Sequence, residues 1–366
     1  MIYFSNPYHQ YLVQSKDIKN SINAFLKRGS YILGEEVKNF ENDFSKYCDS
    51  KYGIGVNSGT DAIFLALKAI NIQYGDEVIT TSHTAIATVS AIISSGATPV
   101  LVDINSHTLN MDYNKINEAI TKNTKAILAV HMYGNPVEID QISRIAKKNK
   151  ILLIEDCAQA TGALYKDKKV GSYGVMGCFS FYPTKNLGSL GDGGMIVTSN
   201  IKLANKIKRI RQYGWDDKRS IKYIGINSRL DEFHATVLKT KLKNLDKDNN
   251  LRNKIADFYS RNLDLNKFKI PVKNNYSKHV YHLYVIQTNN RNQILKSLFK
   301  KNIFAGVHYR KAVHQEKIYL SKCRVSKSGL KSTNEIVKKI ISLPIYPQLK
   351  INDVKYICDV MNSIDF

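Results

Sequence analysis

From Tyr52 to Ser199, short apolar runs alternate with stretches whose apolar residues recur every three or four positions. The runs are "YGIGV" (52–56), "DEVITT" (76–81), "TPVLVDI" (98–104), "KAILAVH" (125–131), "ILLIED" (151–156), "GCFSFY" (177–182) and "GGMIVTS" (193–199). They are apolar through most of their length, as strands are when both faces of a sheet are covered. Residues 61–70, 84–95, 113–120 and 139–148 read as the helices between the earlier ones. Strand alternating with helix predicts an α/β fold, with a mostly parallel, seven-stranded sheet between helices.

After Ser199 the pattern changes. "NIKLANKIKRIRQYG" is amphipathic with a basic face and stops at Gly214. A long helix is expected from about Asp231 to Asn262, then a strand at "VYHLYVI" (280–286) and helices at "NQILKSLFKK" (292–301), "NEIVKKIISL" (334–343) and "NDVKYICDVM" (352–361). This predicts a large domain over residues 1–249, including an N-terminal segment, and a smaller C-terminal α+β domain over 250–366. No repeat or Gly/Ser linker separates them, so an extensive interface is expected.

Composition narrows the class. With 43% hydrophobic and 23% charged residues, the 366-residue chain reads as globular. No apolar run approaches the roughly 18 residues of a membrane span, so no membrane insertion is expected. The N-terminal stretch lacks the pattern of a signal peptide. Five scattered cysteines without a CxxC pair suit reduced thiols in a cytoplasm, not a disulfide framework or a metal site. The formal net charge of +23 changes the picture more. It fits lysines spread over solvated faces, or attraction of phosphorylated small molecules. Basic stretches such as "KTKLKNLDKDNNLRNK" mix Lys with Asp and Asn, and no basic run is interleaved with aromatics. Nucleic acid is therefore not expected as a partner.

In open parallel sheets, ligands bind beyond the carboxyl ends of the strands. Five segments place polar residues there. "NSGTDAIFLAL" turns from strand to helix at Gly59, Thr60 and Asp61, whose free N–H groups would hold a phosphate. It also suits a plain turn capped by Thr60. "LLIEDCAQA" ends a buried strand in Glu155 and Asp156, and a buried carboxylate needs a partner such as a pyridinium nitrogen. A strand-end surface acid is the other reading. Gln159 follows, as a donor to the same ring or as a solvated amide. "GCFSFYPTKNLG" turns at Pro183 and projects Lys185, with Ser180 as a further phosphate ligand. A lone loop lysine would mean little. A lysine, a strand-end acid and a phosphate turn together fit one cofactor, pyridoxal 5'-phosphate. His83 in "TTSHTAIATVSAI" would lie over its ring, or act as a helix cap or core histidine. Asn227 and Arg229 open the helix of "GINSRLDEFHATVL", where Asn227 or Ser228 also suits ordinary capping. Glycines 188, 191, 193 and 194 would let the backbone pass close to the cofactor and a partner chain.

These segments, in this order, resemble the DegT-type sugar aminotransferases, a branch of the fold-type I pyridoxal-phosphate enzymes. The resemblance runs from "SYILGEEVKNFENDF" through "GVNSGTDA", "GDEVITTSHTAIAT", "VHMYGNPVEID", "IEDCAQATGA", "FSFYPTKNLGSLGDGGMIVT" and "NSRLDEFHA" to "HVYHLYVI", "GVHY" and "LPIYPQL". It implies that Lys185 is the Schiff-base lysine, that Asp156 holds the ring nitrogen protonated, and that Gln159 donates to the ring hydroxyl. Gly59, Thr60 and Ser180 match the phosphate cradle, and His83 the ring-stacking position. Asn227 matches an asparagine that reaches the cofactor phosphate of a neighbouring subunit, which implies a homodimer with shared active sites. His308 and Tyr309 match a substrate-site "HYP" segment in which Arg310 here replaces Pro.

The resemblance further implies two half-reactions. L-Glutamate gives its amino group to the cofactor, which carries it as pyridoxamine 5'-phosphate to a nucleotide-linked keto sugar. "SHTAIATV" looks more like members that aminate C3 of dTDP-3-keto-6-deoxyhexoses than those that aminate C4 of UDP- or dTDP-4-keto sugars. The product would be a 3-amino-3,6-dideoxyhexose for surface polysaccharide. A related dehydratase branch carries histidine in place of the lysine, and Lys185 speaks against it. A cofactor-binding regulator that contacts nucleic acid is the reading that would instead exploit the charge.

Overall fold

The computed structural model describes residues 1–216 and 218–365. Its centre is an eight-stranded sheet in the order Arg324–Val325, Thr98–Val102, Glu77–Thr81, Thr124–Val130, Leu152–Asp156, Met176–Ser180, Gly194–Thr198, Tyr52–Val56. All neighbours are parallel except Gly194–Thr198, which runs against both of its partners. The seven expected strands take seven adjacent places. The eighth has two residues, too few to show a period, and comes from the C-terminal part of the chain. Arg324 secures it by donating from Nε and Nη2 to Glu77 Oε1 and Oε2 at 2.9 and 3.0 Å.

Both faces of the sheet are dry, and the strand alternation decides which residue goes where. Ile127 and Ala129 join a core with Phe40 and Phe44 of the helix Glu35–Tyr47 and Ile142 of the helix Ile139–Lys148. Ala126 and Leu128 join the opposite core with Leu65 of Gly59–Ala69, Ile92 of Ile86–Ser94 and Ile207 of Ile201–Ile210. A fully buried side chain of this size contributes about 1.5–3 kcal/mol.

Three expectations change. The long helix is two, Glu232–Leu242 and Leu245–Asn262, broken at Asn244, whose side chain reaches Gln14 Oε1 at 3.3 Å. Residues 113–120 form a 3₁₀ turn followed by a four-residue helix. Residues 334–343 are not one helix. Lys331–Ile336 is helical, and Ile340–Leu343 is a buried strand antiparallel to Tyr284–Gln287. Its short apolar, β-branched run satisfies a strand as well as a helix, and the waiting edge of Tyr284–Gln287 decides it.

This small sheet packs with the helices Arg291–Lys300 and Ile351–Asn362 into a core of its own, apart from that of the large sheet. The helix Leu245–Asn262 runs through both. Leu245 belongs to the core of the large sheet, while Ile255, Ala256 and Tyr259 belong to the small one. At the other end of the chain, Ile2–Tyr3 pairs in parallel with Ile303–Phe304.

Glu232 ties sequence-distant parts together. Its buried carboxylate accepts the amides of Gly34, Glu36 and Val37 at 2.8, 3.0 and 2.9 Å, capping the helix Glu35–Tyr47. Glu232→Gln keeps the shape and removes the charge. It is expected to cost about 1–3 kcal/mol, read as a lower urea midpoint with an unchanged slope.

Candidate active site

The strand Leu152–Asp156 ends in two carboxylates, and its alternation sends them to opposite faces. Glu155 accepts the amides of Gly171, Tyr173 and Gly174 at 2.8, 2.7 and 2.7 Å. His131 Nε2 approaches it at 3.2 Å, while His131 Nδ1 accepts the Val137 amide, which puts the ring hydrogen on Nε2. Glu155 therefore organises the loop at 171–174 and has no capacity left.

Asp156 faces the carboxyl-end cleft. Thr88 Oγ1 donates to its Oδ2 at 2.8 Å and the Ala158 amide to its Oδ1 at 3.1 Å. Thr84 Oγ1 lies 2.8 Å from Thr88 Oγ1 and, with the Thr88 hydrogen committed to Asp156, is the donor in that pair. Burial pushes the Asp156 carboxyl up, against the opposing effects of Thr88, Ala158 and Lys185. A carboxylate so placed fits a cationic ring N–H.

Lys185 stands on a turn held from several sides. Its own amide donates to Tyr182 O at 2.8 Å. The neighbouring Asn186 is buried and donates to Asn249 Oδ1 and Val280 O at 2.7 and 3.0 Å. Buried Lys241 donates to Gly188 O and to Gln10 Oε1. A Cβ on Gly188 would sit 2.3 Å from Pro183 O, and one on Gly194 2.3 Å from Ser58 O. The tight contacts of these glycines are thus made within the chain. Lys185 lines a cavity of about 270 Å³ together with Phe4, Ser5, Tyr182, His282, His308 and Tyr309. Burial lowers its ammonium to about 8, with the Asp156 charge pulling the other way.

The cradle lies at the helix start of Gly59. Ser58, not Thr60, caps that helix by accepting the Asp61 amide at 3.1 Å. The amides of Gly59 and Thr60 find no acceptor among the described residues. A Cβ on Gly59 would meet Ser180 Cβ at 2.6 Å, so glycine lets the two strand ends close on each other. Free amides and a serine hydroxyl at a helix N-terminus fit a phosphate.

Tyr133 connects the other expected residues. Its amide donates to Gln159 Oε1 at 2.8 Å, so the Gln159 Nε2 end faces Tyr309 Oη, at 3.3 Å. Its hydroxyl donates to His308 O and lies 2.7 Å from His83 Nε2. With that single hydrogen spent on His308, His83 Nε2 is the donor to Tyr133. Burial lowers both His83 and His308 to about 4, so both are neutral. Arg310 is exposed beside a second cavity formed with Thr84, Ile86 and Tyr309. Asn227 is exposed, and its side chain makes no hydrogen bond among the described residues.

The structure therefore brings Lys185, Asp156, Gln159, His83, His308 and Tyr309 to one cleft, with Gly59, Thr60 and Ser180 at adjoining strand and helix ends. Asn227 stands apart on the surface. Sequence reasoning missed Thr84 and Thr88, Tyr133 and His282. The threonines were visible as a polar pair four residues apart against an apolar helix. Tyr133 and His282 lie inside two segments of the resemblance, "VHMYGNPVEID" and "HVYHLYVI", but nothing in their local pattern gave either a role.

Transamination through pyridoxal 5'-phosphate requires such an arrangement, and the chain is an enzyme of that class. It is 42% identical over 351 residues to the dTDP-3-amino-3,6-dideoxy-α-D-galactopyranose transaminase of Aneurinibacillus thermoaerophilus, covering 96% of each chain. It is 36% identical over 345 residues to the UDP-N-acetyl-3-dehydro-α-D-glucosamine 3-aminotransferase of Acidithiobacillus ferrooxidans, covering 94% of this chain and 93% of that one. The X-ray structure of S. venezuelae DesV in complex with a ketimine intermediate superimposes with a TM-score of 0.95 at 35% identity, covering 100% of this chain and 99% of that one. Residues 13–362 match the DegT/DnrJ/EryC1/StrS aminotransferase family, and the chain belongs to it.

The lowered Lys185 ammonium has a direct consequence. Only the neutral amine attacks an aldehyde, and its fraction grows as pH rises through about 8. Uptake of pyridoxal phosphate by the cofactor-free protein, followed by absorbance, should therefore accelerate through that pH and level off above it. A rate still climbing toward 10.5, the ordinary lysine value, would contradict the lowered amine.

Proposed function

We propose that this enzyme transfers the amino group of L-glutamate to C3 of a dTDP-3-keto-6-deoxyhexose. The product is a dTDP-3-amino-3,6-dideoxyhexose for surface polysaccharide. The observation that carries the transaminase chemistry is Lys185 facing buried Asp156 across one cleft, each altering the charge balance of the other. The substrate class is that of the two relatives above, which match nearly the whole chain and whose names carry nucleotide-linked sugars. Both carry their nitrogen chemistry at position 3, which favours C3 over C4. The higher identity to the dTDP-sugar enzyme favours dTDP over UDP.

The chain's own residues divide the work as follows. When bound, pyridoxal 5'-phosphate supplies an electron sink for the charge released at the amine-bearing carbon. Lys185 anchors it covalently at rest. Once free, an amine lowered to about 8 both takes and returns a proton near neutral pH, as a group shuttling a proton between two carbons must. Asp156, with both oxygens fixed by Thr88 and Ala158, holds a proton at the ring nitrogen. Gln159, its carbonyl end occupied by Tyr133, turns N–H toward the ring hydroxyl. Gly59, Thr60 and Ser180 hold the phosphate. Neutral His83 covers the ring without adding charge against the pyridinium. His308 and Tyr309 meet the sugar nucleotide, and exposed Arg310 offers positive charge to its diphosphate.

The enzyme works as a homodimer in this reading. Asn227 reaches the cofactor phosphate of the neighbouring subunit, which suits its exposed and unpaired side chain. Exposed Tyr182, Leu190, Tyr223 and Ile224 supply apolar surface for a second copy. Five free cysteines suit a cytoplasmic enzyme. No helix among the described residues is long and apolar enough to cross a membrane.

Two measurements test the proposal. The purified enzyme with L-glutamate should turn over a dTDP-3-keto-6-deoxyhexose at least about tenfold better in kcat/KM than dTDP- or UDP-4-keto sugars. The opposite preference would move the reaction to C4. Lys185→Ala should lose the visible band of the anchored cofactor and about 10³-fold or more of the turnover. Retained transamination would remove Lys185 from the chemistry.

A further inference from the structure

His282 is a buried polar side chain of the Lys185 cavity whose position the cofactor chemistry above leaves unexplained. The residue is only 8% exposed, and its Nδ1 is enclosed with no hydrogen-bond partner. Neither ring nitrogen bonds to any described residue. Yet the ring lines the cavity shared with Lys185, His308 and Tyr309. A buried polar group without a partner costs about 1–3 kcal/mol, so native structures rarely leave one without a reason.

The backbone around it cannot relax to find a partner. Val280 N donates to Gly134 O at 3.0 Å and Leu283 N to Tyr133 O at 3.3 Å. Buried Arg252 donates to Tyr281 O at 3.2 Å, and Asn186, next to Lys185, donates to Val280 O. Asn186 is thus an anchor common to the Lys185 turn and to the segment that carries His282.

The tautomer follows from the enclosure of Nδ1. A sealed N–H is rarer and costlier than a sealed lone pair, so Nδ1 carries the lone pair and Nε2 the hydrogen. Nε2 is then the atom left to face the cavity, as a neutral donor beside the Lys185 amine. Burial and the nearby Lys185 and Arg252 cations keep the imidazole uncharged. Two donors converging on one cavity call for an oxygen acceptor.

We infer that His282 is a substrate-contact residue whose Nε2–H donates to an oxygen of one of the two substrates next to Lys185. This rests on the transaminase reading above. The oxygen comes either from the keto sugar, as a hydroxyl or carbonyl, or from the carboxylate of the amino donor, and kinetics separate the sources.

The test uses the cofactor-loaded enzyme, steady-state kinetics for each substrate, and thermal unfolding without substrate. His282→Leu removes the donor, while His282→Gln places an amide N–H near the position of Nε2. The expected result is a KM raised about 3–10-fold for one substrate in His282→Leu, with the other KM and kcat changed less than about threefold. His282→Gln should recover most of that loss. A raised KM for the keto sugar assigns the contact to the sugar, and one for L-glutamate to the donor carboxylate. The melting temperature of His282→Leu should not fall, because an unpaired buried nitrogen has been removed. Unchanged KM values for both substrates would overturn the inference. So would a lower melting temperature without a KM change, or a Gln variant no better than Leu. A wild-type enzyme inactive on every keto sugar would instead sink the proposed function, a different result from an active enzyme indifferent to His282.

Discussion

A lysine amine and a buried aspartate must be held facing each other without collapsing into a simple ion pair. That constraint organises the molecule. Asp156 is kept back by Thr88 and the Ala158 amide, which occupy its two oxygens. Lys185 is kept on its turn by neighbours with no chemistry of their own: Asn186, Asn249 and Lys241. The side chains of Thr88, Asn186, Lys241 and Asn249 come from three stretches of sequence, and each is buried. The sheet brings strand ends together, and the polar network fixes what stands on them.

The cleft is electrically quiet for so basic a chain. The net charge is +23, yet His83 and His308 are held neutral by burial, as is His282. The positive charge lies mainly on outer lysines, and charge so placed attracts anions only over distance. In the proposed function, neutral donors inside would orient a ligand without competing with the charge on a cofactor ring. Tyr133 links these neutral groups. It takes a left-handed backbone conformation, φ 61°, to present amide and hydroxyl to both sides of the cleft.

The large sheet was legible because its strands are apolar on both faces and bounded by turn residues. "YGIGV" and the helix over 139–148 fall where their period places them. The C-terminal third was less legible. Ile340 to Leu343 carry no period that separates strand from helix, and only pairing with Tyr284–Gln287 decides them. The site followed the same logic. Lys185, Asp156 and the Gly59 turn announce themselves by position at strand ends. Glu155 and Asp156 looked alike in the sequence, and alternation alone sent one to a loop and the other to the cleft. Thr88 and Tyr133 act through partners 68 and 175 residues away, and His282 Nδ1 has no hydrogen-bond partner among the described residues, so local pattern had nothing to report.

The helix Leu245–Asn262 belongs at one end to the core of the large sheet and at the other to the core of the small one. It therefore acts as a strut. Rotating the two halves apart would drag Leu245 or Tyr259 out of packed surroundings. The two-residue strand at Arg324 fastens the far side in the same way. With that strut in place, opening the cleft at a hinge would cost packed core contacts, whereas exchanging a side chain at its rim leaves the frame intact.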